Sequence, residues 1–443
     1  MKSFVLALAA VLILGTRTLL ATEIVAGPMI GHVTDTSARL WLQLDTSERV
    51  TVTCIEVDSN QRVSEVTIDV EGPSPFVLDT PLSNLQPNKN YRVEVRFDGK
   101  PVKLPDPPLV VRSAPPAGDA ATFTVAFGSC MNPKDPAAKD AMPVFKAVRE
   151  VAPRAFLFLG DNGYFPNTER EFGETRRAAY RFMNEQHSRI RQHVDLQNLF
   201  RSTAVYAIWD DHDFGPNDAN RTWTYGKEAL TAFKNFWPNP EYGTADAPGV
   251  YHTFSIGDVD FFMLDVRMYR DPDKDPERKT MVGEVQFNWL KDKLKKSNAT
   301  FKVIGAGSQV LADYSKFDSW AHYRAERDAL LDFIFKEKIS GVVFISGDRH
   351  MGELTLLKPD EKDVSRYPLF DLTSSPLSAK LASPATIAEK NPNRVGEVLA
   401  EHNFGTLDFG GARTKRFVTL RLRDAKGVAR LEQTVFASQL QAP

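Results

Sequence analysis

The sequence predicts two folded parts, an all-β sandwich of immunoglobulin or fibronectin type followed by an α/β domain. Three observations carry this. Between about residues 23 and 114, short segments alternate apolar and polar side chains and are parted by turn residues. From Thr122 onward, compact apolar runs alternate with amphipathic helical stretches. The segment RSAPPAGDA at 112–120 has the composition of a linker. A chain of 443 residues, 42% hydrophobic and 25% charged, suffices for two domains and a sizeable core. Its net charge of -2 lacks the basic bias of a general nucleic-acid binder.

The first element is a leader. Met1 and Lys2 precede the apolar run FVLALAAVLILG, and Ala21 precedes polar residues. Residues 1–21 read as a secretory signal peptide cleaved after Ala21. The run is short for a spanning helix, and no twin arginine precedes it. The expectation is export by the general secretory route to the periplasm or the exterior, with no stable membrane span after cleavage. An uncleaved anchor is the competing reading.

In the β-rich part, residues 23–114, SARLWLQL, VTVTCIEV, VSEVTIDV and NYRVEVRF read as strands. In the last, Val93, Val95 and Phe97 face one way and Arg92, Glu94 and Arg96 the other. Cys54 falls mid-strand, as a buried small hydrophobe. The other cysteine, Cys130, lies in the second part, so no disulfide is expected.

In the α/β part, residues 122–440, the runs FTVAFGSC, AFLFLGD, AVYAIWDD, DFFMLDVR, VIGAGSQ and GVVFISGD read as buried strands. Nearly every run ends in a reactive side chain: Cys130, Asp161, Asp210 and Asp211, Asp265, Gln309, Asp348. One such Asp would be a helix cap or a turn residue. The whole set points to a shared rim, because ligands of α/β sheets bind beyond the carboxyl ends of strands.

The stretch AIWDDHDFGPNDANR at 207–221 sets Asp210, Asp211, Asp213 and Asp218 around His212. Carboxylates this close repel unless a cation joins them. Hard oxygen donors such as Asp161, Asp211 and Asp348 suit Ca²⁺, Mg²⁺ or Mn²⁺. The thiol of Cys130, the phenol of Tyr164 and the imidazole of His350 pull toward iron or zinc. Asp210, Asp213, Asn217, Asp218 and Gln309 are further candidates for metal or substrate. A plain GPND turn competes for Asn217 and Asp218. Two metals sharing Asp161 would suit in-line attack on phosphorus.

The motifs FGSC, GDNGY, WDDHD, GSQV and SGDRH, in that order, resemble those of the PhoD-like alkaline phosphatases, within the calcineurin-like metallophosphatase superfamily. The resemblance covers nearly all of the mature chain. GHVTDTSARLWLQ looks like the family's N-terminal β-sandwich, and LDVRMYR and TSSPLS like its later segments. GDxxY alone is less specific, since purple acid phosphatases share it. The resemblance implies a metallophosphatase domain with a β-sandwich core flanked by helices. It also implies Fe³⁺ held with Cys130 and Tyr164, Ca²⁺ in the same cluster, and Asp161 as the bridging carboxylate. Another divalent metal is the alternative. Asp211 and His212 take the places of Asn and His in the superfamily's GNH motif, so Asp211 is expected on metal and His212 on substrate. Asp348 and His350 match the late GHxH pair, with Asp in place of the first His. Gln309 stands near the usual place of another His ligand. The chain lacks GNHE and GHxH and has Cys130 where purple acid phosphatases have Asp.

The function so implied is an exported phosphodiesterase or phosphomonoesterase that hydrolyses a small phosphate ester with a metal-bound hydroxide. His212 would stabilise developing charge or protonate the leaving group. Arg267, with Arg270, would clamp phosphoryl oxygens, with an ion pair to Asp265 as the competing role. Phospholipase D-like hydrolysis of phospholipid headgroups is the second reading. A catalytically inactive extracellular binding module is the third, and the intact ligand set argues against it. His187 and His193 read as surface residues, His252 and His322 as structural, and residues 166–192 as a wall or lid.

Overall fold

The computed structural model describes residues 22–133, 142–273, 279–314, 317–359 and 365–442. The predicted signal peptide therefore lies outside the described residues. The N-terminal part is strand-rich throughout. One antiparallel sheet joins Ile24–Val33, Ala38–Leu44 and Phe76–Leu82. A second joins Arg62–Val70, Glu48–Glu56, Asn90–Phe97 and Lys100–Pro101, with Val110–Arg112 beside Asn90–Phe97. The alternation that predicts strand Asn90–Phe97 is visible in its burial: Tyr91, Val93 and Val95 are buried and Arg92 is exposed. Cys54 is buried in its strand, and both cysteines are free thiols. Strand Ile24–Val33 escaped the sequence reading because it does not alternate. It is nearly continuously buried, packing on the second part, where the Tyr206 hydroxyl accepts from the Val33 amide at 3.1 Å.

The second part has two facing mixed sheets. In the first, Ala204–Ile208, Ala155–Leu159 and Phe123–Gly128 run parallel. Asn403–Gly410, Phe417–Asp424 and Ala429–Phe436 extend it antiparallel. In the second, Val259–Met263, Phe301–Gly305, Val342–Ser346 and Leu369–Thr373 run parallel. His252–Ile256 flanks one side, and Gly352–Leu357 and Arg394–Leu399 the other. The apolar runs are strands because both their faces are covered: AFLFL, AVYAI and VVFIS are buried at every residue. Phe409 of the first sheet meets Phe261 and Phe301 of the second, and Tyr206 stacks on Phe254 with centroids 3.7 Å apart. The last three strands of the first sheet are joined without the helices that alternate with strands earlier in the chain. The α/β pattern read from the sequence therefore stops short of the C-terminus.

The helices that the sequence predicts are present at Pro143–Val151, Gly226–Phe236, Glu284–Lys296 and Arg324–Lys336, each with one buried face. Helix Arg176–Arg191 corrects the expectation of a lid. It packs against helix Gly226–Phe236 and strand Ile24–Val33, and no residue of 166–192 lines the cavity described below. Its position also corrects the two surface histidines. His187 is 2% exposed and stacks on Phe236, and His193, 2% exposed, accepts from the Asp195 amide at the start of helix Val194–Phe200. The charged face of the helix had masked the inward one. The segment 112–120 is docked: Arg154 donates to the Ser113 carbonyl at 2.8 Å and Gly118 to Gly257 at 2.7 Å.

Candidate metal centre

The parallel strands of both sheets deliver their carboxyl ends to one rim. Ser129 stitches the sheets together there. Its hydroxyl donates to the Ser374 carbonyl at 3.2 Å and accepts from the Asp348 amide at 3.1 Å. Gly347 permits the approach, since a Cβ there would lie 2.5 Å from the Ser129 Cβ. Just beyond each strand the chain turns sharply. Among the described residues, five of the eleven non-glycine residues with positive φ belong to this rim: Cys130 (59°), Asp161 (49°), Asp218 (58°), Asp348 (69°) and His350 (56°). Such conformations cost about 1–3 kcal/mol each and persist where surroundings enforce them. Here the enforcement is mutual. Cys130 donates its amide to the Gly160 carbonyl, and Met131 donates to the Asp161 carbonyl. The His350 amide donates to the Ser375 hydroxyl at 2.8 Å, and the Asp218 amide to Asp211 Oδ2 at 2.8 Å.

The result is three overlapping sets of donor atoms, each with members within 4.8 Å of one another: Cys130, Asp161 and His350; Asp161, Asp211 and His212; Asp210, Asp211 and Asp348. Tyr164 stands beside them. Its hydroxyl lies 2.8 Å from His350 Nε2, and its ring lies 4.4 Å from that of His212. His350 is also hydrogen-bonded to the Lys380 backbone, the outer contact that orients a ligating imidazole.

Without a cation this cluster is electrostatically unfavourable. Burial, then the charges of Asp211, Asp210, Asp213 and Asp348, pushes the Asp161 carboxyl well above the usual carboxylate range. Asp348 is raised in the same way by burial, Asp210, Asp318 and Asp211. Burial, with Asp161 and Asp348 nearby, pushes the Cys130 thiol up. Burial lifts Asp210 to about 7 despite Arg267. Asp211 is held low, because Arg267, His212 and the Asp218 amide outweigh its burial. Among the described residues, buried Asp210 Oδ2 and His212 Nδ1 have no hydrogen-bond partner. Multivalent cations would satisfy these groups, and the donor set of carboxylates, thiol, phenol and imidazole fits metals ranging from hard to borderline.

The cluster floors a cavity of about 480 Å³, which Asp161, Asp211, His212, Asn217, Asp218, Asp348 and His350 line. Four residues singled out by the sequence stand elsewhere. Arg267 is fully buried, its guanidinium paired with Asp210 and Asp318, so it does not reach the cavity as a clamp. Asp265 is not its salt-bridge partner; that carboxylate accepts from Trp209 Nε1 and from the Val250, Arg267 and Met268 amides. Gln309 is buried, its side-chain amide donating to Thr373 Oγ1 at 2.8 Å and its Oε1 accepting from the Tyr314 hydroxyl, and it does not line the cavity. Asp213 braces the loop, accepting from the Asn162 side chain at 2.6 Å and the Asp210 amide at 2.8 Å. The sequence reading missed Ser129, Asn162, Asp318 and Arg349, and took His322 as structural although it lines the cavity. Ser129 inside FGSC, Asn162 inside GDNGY and Arg349 inside SGDRH each stood within a motif, whereas Asp318 carried no signal.

The two-sheet core resembles a solved structure of PhoD, with a TM-score of 0.74 and 18% identity over 93% of this chain and 89% of that one. Purple acid phosphatase PPD1 from yellow lupin (Lupinus luteus) seeds follows at 0.66 and 12%, over 92% and 74%. The likeness to both structures is one of fold. The chain belongs to the PhoD-like phosphatase family, whose sequence model matches residues 125–414. Residues 21–114 match a domain of unknown function (DUF7800). Alkaline phosphatase D of Bacillus subtilis (strain 168) is 25% identical over 213 residues, covering 40% of this chain and 36% of that protein. The match thus spans about a third of the relative's length.

Proposed function

We propose that the protein is an exported, metal-dependent phosphoric ester hydrolase acting on small phosphate esters. The carrying observation is the set of overlapping donor groups in which Asp161, Asp211, His212, Asp348 and His350 line one cavity, with buried Cys130 against Asp161 and His350 and the Tyr164 hydroxyl 2.8 Å from His350 Nε2. Family membership supports the same reading. Cys130, Tyr164 and His350 would hold Fe³⁺, with Asp161 shared, while Asp211 and Asp348 would hold Ca²⁺. Asp210, Asn217 and Asp218 flank that second position. When bound, such cations supply Lewis-acid charge that polarises a phosphoryl oxygen and acidifies water.

The chain's own residues supply orientation and proton transfer. Arg270 lines the cavity where Arg267 does not. Its guanidinium is fixed by the Tyr323 hydroxyl at 2.7 Å and by Asp318, so it is aimed before substrate arrives and takes over the clamp role. His212 is held against the Tyr164 ring, which is tilted 33° to its own, and its backbone amide donates to Asp161 Oδ1 at 3.2 Å. It is placed to hand a proton to the leaving oxygen. The N-terminal strands, residues 23–114, are read as an immunoglobulin- or fibronectin-like sandwich that buttresses the domain over 122–440. Among the described residues no helix is long and apolar enough to cross a membrane. Export rests on the leader over residues 1–21.

The test joins composition to turnover. Purified protein should contain iron and calcium, show a visible tyrosinate-to-iron band, and lose hydrolysis of p-nitrophenyl phosphate or bis(p-nitrophenyl) phosphate on calcium chelation. His212→Ala should keep its metals and lose about 10²–10⁴-fold in kcat. A colourless, iron-free and fully active protein would overturn the assignment of Cys130 and Tyr164. Wild-type kcat in His212→Ala would remove that residue from the chemistry.

A further inference from the structure

The walls of the cavity carry cations, and all but one are already spoken for. Arg270 pairs with Asp318 and lies 3.9 Å from Asp273. Arg349 is sandwiched between the rings of Tyr314 and Phe317, at 4.5 and 4.3 Å, and pairs with Glu389 at 3.4 Å. Lys380 also lines the cavity, is exposed, and forms no salt bridge among the described residues. Its neighbour Leu381 is 39% exposed, unusual for a leucine at a polar cavity.

The backbone beneath this pair is rigidly tied to the centre. Ala379 donates its amide to the Cys130 carbonyl at 3.0 Å and Ala382 to the His350 carbonyl at 3.0 Å. The His402 ring bonds the Ala379 carbonyl at 3.0 Å. His350 in turn is hydrogen-bonded to the Lys380 backbone. The segment is therefore held in register with the cluster on both sides of Lys380. An ammonium without a salt-bridge partner among the described residues, on an anchored backbone at the wall of the cavity, is placed to meet a charge that substrate brings.

We propose that Lys380 and Leu381 form a subsite for the alcohol portion of the substrate, and that the preferred substrates are phosphoric esters whose alcohol carries a second anionic group. The reacting phosphate sits on the cluster. The second anion pairs with Lys380, and the intervening carbon chain lies against Leu381. Lysine suits this task because a point charge on a flexible stem tolerates anions of different geometry, unlike the planar guanidinium of Arg270. The subsite deepens the hydrolase reading and rests on it for its substrate, but its binding can be read without turnover.

The probes are 3-phosphonopropionate and propylphosphonate, which differ by a terminal carboxylate against a methyl group and cannot be hydrolysed at the carbon–phosphorus bond. Titration calorimetry on the metal-loaded protein should show the carboxylate ligand binding about tenfold more tightly, the equivalent of ~1.4 kcal/mol. Lys380→Gln should erase that ratio, Lys380→Glu invert it and Lys380→Arg retain most of it. Equal affinities in the wild type would overturn the subsite. So would a Lys380→Gln variant that weakens both ligands alike, because Lys380 would then be serving the reacting phosphate. The matching esters, 2-phosphoglycolate and ethyl phosphate, are assayed separately for phosphate release. If neither is hydrolysed while the phosphonate ratio holds, the monoesterase reaction fails and the subsite stands.

Discussion

Asp161→Asn is expected to empty the cluster of metal and to lower kcat/KM by at least about 100-fold, the upper end of the cost of losing even an outer-shell partner of a metal site. Asp161 is shared by the Cys130 and Asp211 donor sets, as Asp211 is by the next pair, so its loss uncouples the Cys130 side from the Asp211 side. Asparagine preserves the shape and removes the charge. The metal-free protein should respond in the opposite direction. Asp161 and Asp348 are held far above their ordinary range by burial and by their neighbours' charges, and burial lifts Asp210 and Asp213 to about 7. A carboxyl raised on folding keeps its proton after the unfolded chain has released it, so stability falls as pH rises through that window. For Asp210 and Asp213 the window runs from about 4 to about 7, and for Asp161 and Asp348 it extends higher. Chelated wild type should therefore lose stability across this range, and chelated Asp161→Asn should be flatter in pH and more stable at neutrality. Metal-to-protein ratios and denaturant midpoints measured across pH check both halves. Full metal content in the variant, or an unchanged pH slope, would remove Asp161 from the centre of the site.

The rim was legible in the sequence because strand ends are local. A buried strand announces itself as an apolar run, and the polar residue that ends it is read off directly. Cys130, Asp161, Asp211 and Asp348 were found this way, and the structure brings them together. Long-range partnerships were not legible. Nothing near Arg267 in the chain marks Asp210 or Asp318 as its partners, whereas Asp265, two residues away, looked like the natural one and is engaged by Trp209 and backbone amides instead. Gln309 failed for a related reason: its place in the motif order matched a ligand position, yet the chain turns it toward Thr373 and Tyr314. His187 failed because a charged helix was taken to be a solvated one, although only one of its faces is exposed. Strand Ile24–Val33 was invisible because it neither alternates nor forms an unbroken apolar run: Gly27, Pro28, Gly31 and His32 interrupt it.

Arg267→Met is expected to destabilise the protein by about 3–5 kcal/mol, the cost of removing one partner from a buried ion pair. The guanidinium is fully buried and holds two carboxylates, Asp210 and Asp318, so its removal strands Asp210 and leaves Asp318 to Arg270 alone. Methionine fills much of the same volume, which confines the loss chiefly to charge. Adding Asp210→Asn should recover part of the loss, since the stranded carboxylate is then neutral, and the recovered fraction measures the coupling. Arg267→Lys should fall between, because a single ammonium does not reproduce the planar fork that spans Asp210 and Asp318. Denaturant midpoints at fixed pH with metal saturating measure all three. The kinetic signature separates this brace from the clamp that the sequence suggested. A brace acts through Asp210 on the cluster, so lost activity should track lost metal and be restored by added metal. A clamp would instead raise KM in Arg267→Lys with stability and metal content intact. The latter pattern would return Arg267 to the substrate, and it would have to do so without an opening, because the cavity wall at that side belongs to Arg270 and Asp318.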